Sequence, residues 1–317
     1  MMKPIILEHI KALYTENIEP LELLGGFHNN VFLSRNQNMV IKLLDVEAYK
    51  KINLLNEQEI IELMLLHGIK TPSLIPSKNG TLIEQINGEE KKFYVMAYAY
   101  IDGEVLSPNL KENHVIKAWG KLLGKMHEIT KLNSHKMEQN YLEWDHDIKR
   151  EDFAKGHGKI IEEKWQKYMD EFIALPKDKN NYGIVQHDLH NENIMIANKA
   201  MYVLDFGDVR KSWYAYDTAI PIFHFMENNR LLGKLEQLEL YRHFTKLFLE
   251  GYTEKTALSE EQLHLIPRFL EYRLLYSYLF FKNSFQGKEM DTKVKNHLEK
   301  MRFRIENDVP FIPGDKR

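Results

Sequence analysis

Gln186-His187-Asp188-Leu189-His190-Asn191-Glu192-Asn193-Ile194-Met195-Ile196, followed a few residues on by Val203-Leu204-Asp205-Phe206-Gly207-Asp208, is the stretch on which the reading of this chain turns. Tyr182-Gly183-Ile184-Val185 before it and Ile194-Met195-Ile196 at its end are short β-prone runs. The polar segment between them is therefore expected to be a loop held by two strands, with its side chains fixed in direction. Asp188 is then placed to orient a substrate hydroxyl and take up its proton, a task for a carboxylate within hydrogen-bond reach. Asn193 and Asp205 offer hard oxygen ligands at a spacing that holds magnesium, which keeps its other positions for water and phosphate oxygens. Taken singly, Asp188 and Asn193 could simply cap turns, and Asp205 could simply open a tight Asp-Phe-Gly turn. Their joint spacing is what points to phosphoryl transfer from ATP to an alcohol.

The rest of the chain bounds that reading. Its 317 residues suggest one large or two moderate domains. A hydrophobic content of 44% and a charged content of 28% are ordinary for a globular protein, and a net charge of -3 gives no field to gather nucleic acid or an anionic membrane. The expected partner is a small molecule carrying the acceptor hydroxyl. The absence of cysteine excludes disulfides, a thiolate nucleophile and a thiolate zinc site, and favours a cytoplasmic setting. Ile5-Ile6-Leu7, followed at once by Glu8 and His9, is too short for a signal-peptide core, and the apolar stretch from Leu274 to Phe281 is too short to span a bilayer.

Periodicity divides the chain in two. Leu21 to Leu24, Val31 to Ser34, Met39 to Leu44, Leu82 to Ile86 and Lys92 to Tyr100 are β-prone runs parted by Gly25-Gly26, Asn36-Gln37-Asn38 and Asn87-Gly88 turn signals. One helix, about Asn56 to His67, lies among them and stops at Gly68 before Pro72. Beyond Ile101-Asp102-Gly103 amphipathic helices are expected at Glu112 to His127, Lys159 to Leu175, Leu231 to Tyr252, Ser259 to Gln286 and Asp291 to Asn307. The expected class is α+β: an antiparallel sheet with one helix over residues 1–101, for nucleotide, and a mainly helical region over 102–317, for the catalytic loop and acceptor.

The paired glycines Gly25-Gly26, with Asn29 just beyond, join two strands in a way that lets backbone amides approach a phosphate. Alone, a ligand-free Gly-Gly hairpin explains them better. Lys42 is the single cation of Met39-Val40-Ile41-Lys42-Leu43-Leu44, and its place one hairpin after the glycines favours a phosphate contact over an exposed strand lysine. A helix glutamate is expected to aim it. Glu57, Glu59 and Glu62 compete, and Glu59 is preferred from its distance to the helix end.

Gly25 to Phe32, Lys42, His187 to Asn193, Asp205-Phe206-Gly207-Asp208 and Trp213 to Ala219 together resemble the aminoglycoside phosphotransferase and choline kinase superfamily. The glycine loop and the Asp217 segment look most like its bacterial homoserine-kinase-like or stress-response-kinase-like members. The resemblance covers most of the chain. It implies a protein-kinase-like bilobal fold, with ATP in the cleft behind Ala97-Tyr98-Ala99-Tyr100 as hinge, so that Tyr98 and Tyr100 join the nucleotide-binding set. It also implies Asp188 as catalytic residue, Asn193 and Asp205 on magnesium, and Asp217 either as a buried brace for the catalytic loop or as a helix N-cap. The chain departs from the pattern at one place: Gln186 stands where these loops usually have histidine, and His187 replaces what is often a small residue.

Other motifs fail on spacing. Gly120-Lys121-Leu122-Leu123-Gly124-Lys125 is one residue short of a P-loop and reads as helix surface. His127-Glu128 has Lys131 where a zinc-protease helix needs a second histidine, and His190-Asn191-Glu192 lacks the cysteine pair of a deaminase. Tyr272, Tyr276, Tyr278, Phe280 and Phe281, with Arg273 among them, read as helix packing. Two rival functions remain. One is a metal-dependent phosphohydrolase using His187 and Asp188 with His146 or His157; the other is a non-catalytic ATP-binding regulator, motivated by Gln186 and His187. The acceptor stays open among amino alcohols, hydroxy amino acids, sugars and aminoglycosides.

Overall fold

The computed structural model describes residues 3–26, 29–135, 137, 141–146, 148, 153–287 and 289–314. Phe27 and His28 of the glycine loop lie outside the described residues. The chain forms two compact units, Met1–Val105 with Met137–Tyr141 and Asn193–Val209, and Leu106–Lys136 with Leu142–Glu192 and Arg210–Arg317.

The first unit runs α1 (Pro4–Leu13), β1 (Leu21–Gly25), β2 (Val31–Ser34), β3 (Met39–Asp45), α2 (Lys51–Leu66), β4 (Leu74–Ile75), β5 (Glu84–Asn87), β6 (Lys92–Ala99) and β7 (Glu104–Val105). In the second, α3 (Asn113–Asn133), α4 (Lys159–Ile173) and β8 (Tyr182–Val185) come first. The chain then returns to the first unit for β9 (Ile194–Ala197) and β10 (Ala200–Val203). It closes in the second with β11 (Arg210–Trp213), α5 (Tyr214–Asn228), α6 (Lys234–Thr253), α7 (Glu260–Ser284) and α8 (Thr292–Glu306).

In the first unit the sheet order is β1-β2-β3-β6-β4, with β5 also on β6 and every pairing antiparallel. The two-residue period of a strand sorts its side chains. Ile41, Leu43, Val95 and Ala97 bury one face against Ile6, Ile10 and Tyr14 of α1. Lys42 and Tyr98 alternate with them onto the other face, where Tyr98 meets Glu57 of α2. The sheet thus carries a helix on each side, one more than expected. The signal for α1 was present in Pro4 at the first turn and in Ile6 and Ile10, four residues apart. The expected 56–67 helix is the C-terminal part of α2.

The unit boundary also differs from a single cut after residue 101. Glu104 and Val105 of β7 pair with Ile196 and Met195, which draws the β9–β10 hairpin and the Asp-Phe-Gly turn into the first unit.

In the second unit α3 and α6 lie backbone to backbone. A Cβ at Gly120 or Gly124 would collide with the carbonyls of Phe248 or Tyr252, and one at Gly251 with that of Lys117. Gly120 and Gly124, read above as helix surface, are instead the close-contact face of a small-xxx-small crossing. Trp119 fills the seam edge-on to Phe244 and Phe248. Helix α5 has no amphipathic period in the sequence because it is buried on nearly every side and holds Pro221, so it presents no polar stripe. Among the described residues no helix is long and apolar enough to cross a membrane.

Candidate active site

In the first unit, β3 delivers Lys42 into a carboxylate pair: its Nζ lies 3.5 Å from Glu57 Oε1 and 3.3 Å from Asp205 Oδ1. Burial opposes a charged amine here, but Asp205 and Glu57 outweigh it and hold Lys42 protonated well above the ordinary lysine range. Glu57 is the partner, not Glu59. Glu57 falls three and four residues before the buried Ile60 and Ile61, on the inward face of α2. Glu59 is turned away from that face and accepts a 2.8 Å hydrogen bond from Tyr141 Oη. Glu62 pairs with Gln58 along the helix. Distance to the helix end was the wrong criterion, because the face decides.

Tyr98 Oη donates to Glu57 Oε1 at 2.8 Å, and its strand position is paired with Val40 on one side and Leu74 on the other. Tyr98 therefore supports the Lys42 partner from inside the sheet and presents no open strand edge. Tyr100 donates its amide to Asn38 O and its hydroxyl to Asp102. At the β1–β2 connection Gly25 (φ 127), Gly26 (φ 84) and Asn29 (φ 51) all have left-handed backbones, the conformation that paired glycines supply. Asn29 N donates to Gly26 O at 3.0 Å, closing that turn.

Asp205 follows β10, and its Oδ1 also accepts the Gly207 amide at 2.8 Å. Leu204 N donates to Asn193 O at 3.0 Å, tying the residue before Asp205 to Asn193. A Cβ at Gly207 would stand 3.1 Å from Asp205 Oδ1 and 3.4 Å from Lys42 Nζ, so the bare glycine keeps open the space beside both charges. Glu57 Oε2 is buried with no hydrogen-bond partner among the described residues. One ammonium facing two carboxylates, with an amide oxygen donor held nearby in the chain, is a donor set that fits a hard divalent cation and phosphate.

In the second unit β8 leads into the catalytic loop, and its pairing with β11 fixes the loop's start. Gln186 Oε1 accepts the Asp188 amide at 2.6 Å, so the residue that departs from the family pattern still braces the loop. His187 has φ 71, a left-handed conformation costly for a residue with a Cβ, which explains why small residues are common there. Its amide is held by Asp217 Oδ1 at 2.7 Å, and Asp217 Oδ2 takes His127 Nε2 at 2.9 Å. Asp217 is fully buried inside α5, whose N-cap is Trp213. Of the two roles held open for it, the structure assigns the brace.

Asp188 is gripped on both oxygens. Arg273 Nη2 of α7 donates to Oδ1 at 3.0 Å, and His190 Nε2 lies 3.3 Å from Oδ2. Burial works against its ionisation, but the His190 hydrogen bond and the charges of His190 and Arg273 prevail and lower its pKa to about 2. Asp188 therefore raises the pKa of His190 against its burial, whereas burial and Arg273 lower that of His224 to about 3. Sequence reading missed Arg273, set aside as helix packing, and His224, which no motif marks. A lone arginine in an apolar helix segment was the available signal. His157, one candidate phosphohydrolase ligand, pairs with Asn283, and His187 is enclosed beside Tyr216. Among the described residues no group of three or more His, Cys, Asp or Glu side chains is arranged to hold a metal, and the strands flanking the loop do not suit the all-helical phosphohydrolase architecture.

The chain is similar to known kinases over most of its length. Amicoumacin kinase of Bacillus subtilis (strain 168) is 24% identical over 318 residues, 98% of this chain and 94% of that protein. An amicoumacin kinase solved in complex with AMP-PNP, Ca2+ and Ami superposes with a TM-score of 0.85 at 21% identity, over 99% of this chain and 96% of that one. A microcompartment-associated aminopropanol kinase gives 0.73 at 16% identity, over 95% and 94%. These likenesses show a shared α+β kinase-like fold. The profile described as "Phosphotransferase enzyme family" matches residues 20–252, most of the chain and every polar group described in the first unit. By that match the chain belongs to the phosphotransferase enzyme family, as an ATP-dependent enzyme with a small-molecule hydroxyl as acceptor.

Proposed function

We propose that this chain transfers the γ-phosphoryl group of ATP to the hydroxyl of a small amino alcohol or of a larger molecule carrying an amino alcohol. The observation that carries the chemistry is the Lys42, Glu57 and Asp205 cluster beside Gly207. The acceptor class is supported by the amicoumacin and aminopropanol kinases to which the chain is similar.

In this reading Lys42, aimed by Glu57, contacts phosphate oxygens of ATP, and the glycine turn of Gly25, Gly26 and Asn29 offers amides to the same phosphates. Asn193 and Asp205 would hold magnesium, which when bound neutralises charge on the phosphoryl group in flight. Asp188 accepts a hydrogen bond from the acceptor hydroxyl and aligns its oxygen on the γ-phosphorus. A bond forms between that oxygen and phosphorus, the bond to the β,γ-bridging oxygen breaks, and ADP leaves. The hydroxyl proton passes to Asp188 and on to solvent. A carboxylate with a pKa near 2 is a weak base, so Asp188 works by orientation and receives the proton late, when the acceptor oxygen has become acidic. A cytoplasmic setting, where ATP is supplied, fits a chain without cysteine.

The test is ATP consumption with magnesium across 1-amino-2-propanol, choline, homoserine, aminoglycosides and sugars, beside an Asp188→Asn control. Turnover confined to amine-bearing alcohols and lost in the control supports the proposal. Turnover confined to sugars would refute the acceptor class, and tight ATP binding with no turnover on any acceptor would favour the regulator.

A further inference from the structure

Arg273 sits on α7, 85 residues from Asp188 in sequence, yet it is 7% exposed and its side chain converges on the catalytic loop. Nη1 donates to Tyr216 Oη at 3.2 Å, and Nη2 is shared between Asp188 Oδ1 at 3.0 Å and His224 Nε2 at 3.3 Å. His224 lies against His190 with ring centroids 4.8 Å apart, and His190 returns to Asp188 Oδ2. The side chains close a ring, Asp188 to Arg273 to His224 to His190 and back. Its members come from the catalytic loop, α5 and α7, so the aspartate is held from two sides, by Arg273 and His190, with His224 bridging the two.

We propose that Arg273 is the positioning residue of the reaction, its guanidinium fixing the orientation of the Asp188 carboxylate and keeping it ionised for the acceptor hydroxyl. This rests on Asp188 being the acceptor-orienting carboxylate. A structural role for Arg273 alone explains the geometry less well. A buried guanidinium needs acceptors, yet Arg273 leaves Nε without a hydrogen-bond partner among the described residues while aiming Nη2 at the one loop residue that must meet substrate, a choice that hydrogen-bond satisfaction alone does not select. A buried carboxylate without its cation is pushed toward the neutral acid, which donates where the hydroxyl needs an acceptor. Burial opposes the charge on Asp188, and the groups that sustain it are His190 from its own loop, then Arg273 from α7 and His224 from α5. Arg210 of β11 and Arg273 act in turn on His187.

The full-length protein labelled with 13C at aspartate carboxyls tests this without any acceptor, the Asp188 resonance being assigned by its loss in Asp188→Asn. In the wild type it should not titrate between pH 7 and 4. In Arg273→Met it should titrate within that window, and in Arg273→Lys it should stay close to wild type. With 1-amino-2-propanol as acceptor, Arg273→Met should lower kcat about 100-fold while KM for ATP changes less than about twofold, the pattern of a misplaced reacting group. If Arg273→Met does not fold, Arg273→Gln, neutral but polar, should show the same titration. An Asp188 resonance that stays flat to pH 4 in a folded Met or Gln variant overturns the proposal. Lack of turnover with any amino alcohol would count against the acceptor class and leave the carboxyl titration to decide on Arg273.

Discussion

The two units each hold a half-buried cluster of opposite charges, and the clusters are built with opposite polarity. In the first unit one ammonium, Lys42, faces two carboxylates, Glu57 and Asp205. In the second one carboxylate, Asp188, faces a guanidinium and an imidazole, Arg273 and His190. A cluster with surplus anion invites a further cation, and with it the phosphates that the cation bridges. A cluster in which a guanidinium and an imidazole close on one carboxylate has no spare anionic ligand for a metal; it holds that carboxylate fixed. Opposite ratios of acidic to basic groups thus separate the work of binding nucleotide from the work of orienting an alcohol.

Asp188→Asn breaks the comparison at its sharpest point. The amide keeps the shape but cannot take a proton, so turnover should fall by about 1,000-fold or more while ATP binding stays within about twofold. ATP binding that falls in parallel with turnover would show that Asp188 serves the nucleotide rather than the acceptor. The next effect belongs to the first unit. Glu57→Gln should weaken the aim of Lys42 and cost about 100-fold in kcat/KM for ATP, while Glu59→Gln, whose partner is Tyr141, should stay within about threefold of wild type. The reverse order of the two would mean that the face of α2 turned toward Lys42 has been assigned wrongly.

That pair also marks what the sequence could reveal. The meeting of Lys42 with Asp205 was legible, because Asp205 opens a short, locally folded motif and strand alternation isolates Lys42. Glu57 was not, because three glutamates lie within one and a half turns and only tertiary packing selects among them. Arg273 was harder still: the only local trace is an arginine in an apolar helix segment, which among aromatics reads as packing, and its partner Asp188 lies 85 residues away. In the fold, α1 is marked by a proline at its first turn and a short apolar spacing, while α5 carries no mark, since a helix buried on nearly every side has no period to detect.

The crossing of α3 and α6 supplies a stability counterpart. Gly251→Val would thrust a branched side chain into the Lys117 carbonyl, and backbone cannot yield as a side chain does. The expected loss is about 3 kcal/mol, at the upper end for overpacking, read as a lowered denaturation midpoint at unchanged m-value. Because Tyr252, the next residue, hydrogen-bonds His127 at 2.7 Å and His127 holds Asp217, residual folded enzyme should also turn over more slowly. Leu235→Ala, at a position of α6 that is 78% exposed, should do neither. A Gly251→Val protein as stable as wild type would show that the two helices do not approach this closely in solution.

The smallest effect follows from the polarity of the second cluster. Asp188 is lowered to about 2 in the folded protein, against an ordinary aspartate value of about 3.9 in the unfolded chain. A depressed carboxylate contributes stability that is complete above the unfolded value and disappears as pH falls through the folded one. The contribution is on the order of 2 kcal/mol, present above about pH 5 and shrinking between about pH 4 and 2. Denaturation midpoints of wild type and Asp188→Asn should therefore differ most near pH 5, where His190 is also protonated against Asp188, and converge below about pH 4. A difference independent of pH down to 3 would mean that the Arg273 and His190 contacts persist whether or not Asp188 is charged, and the contrast between the two clusters would lose its electrostatic basis.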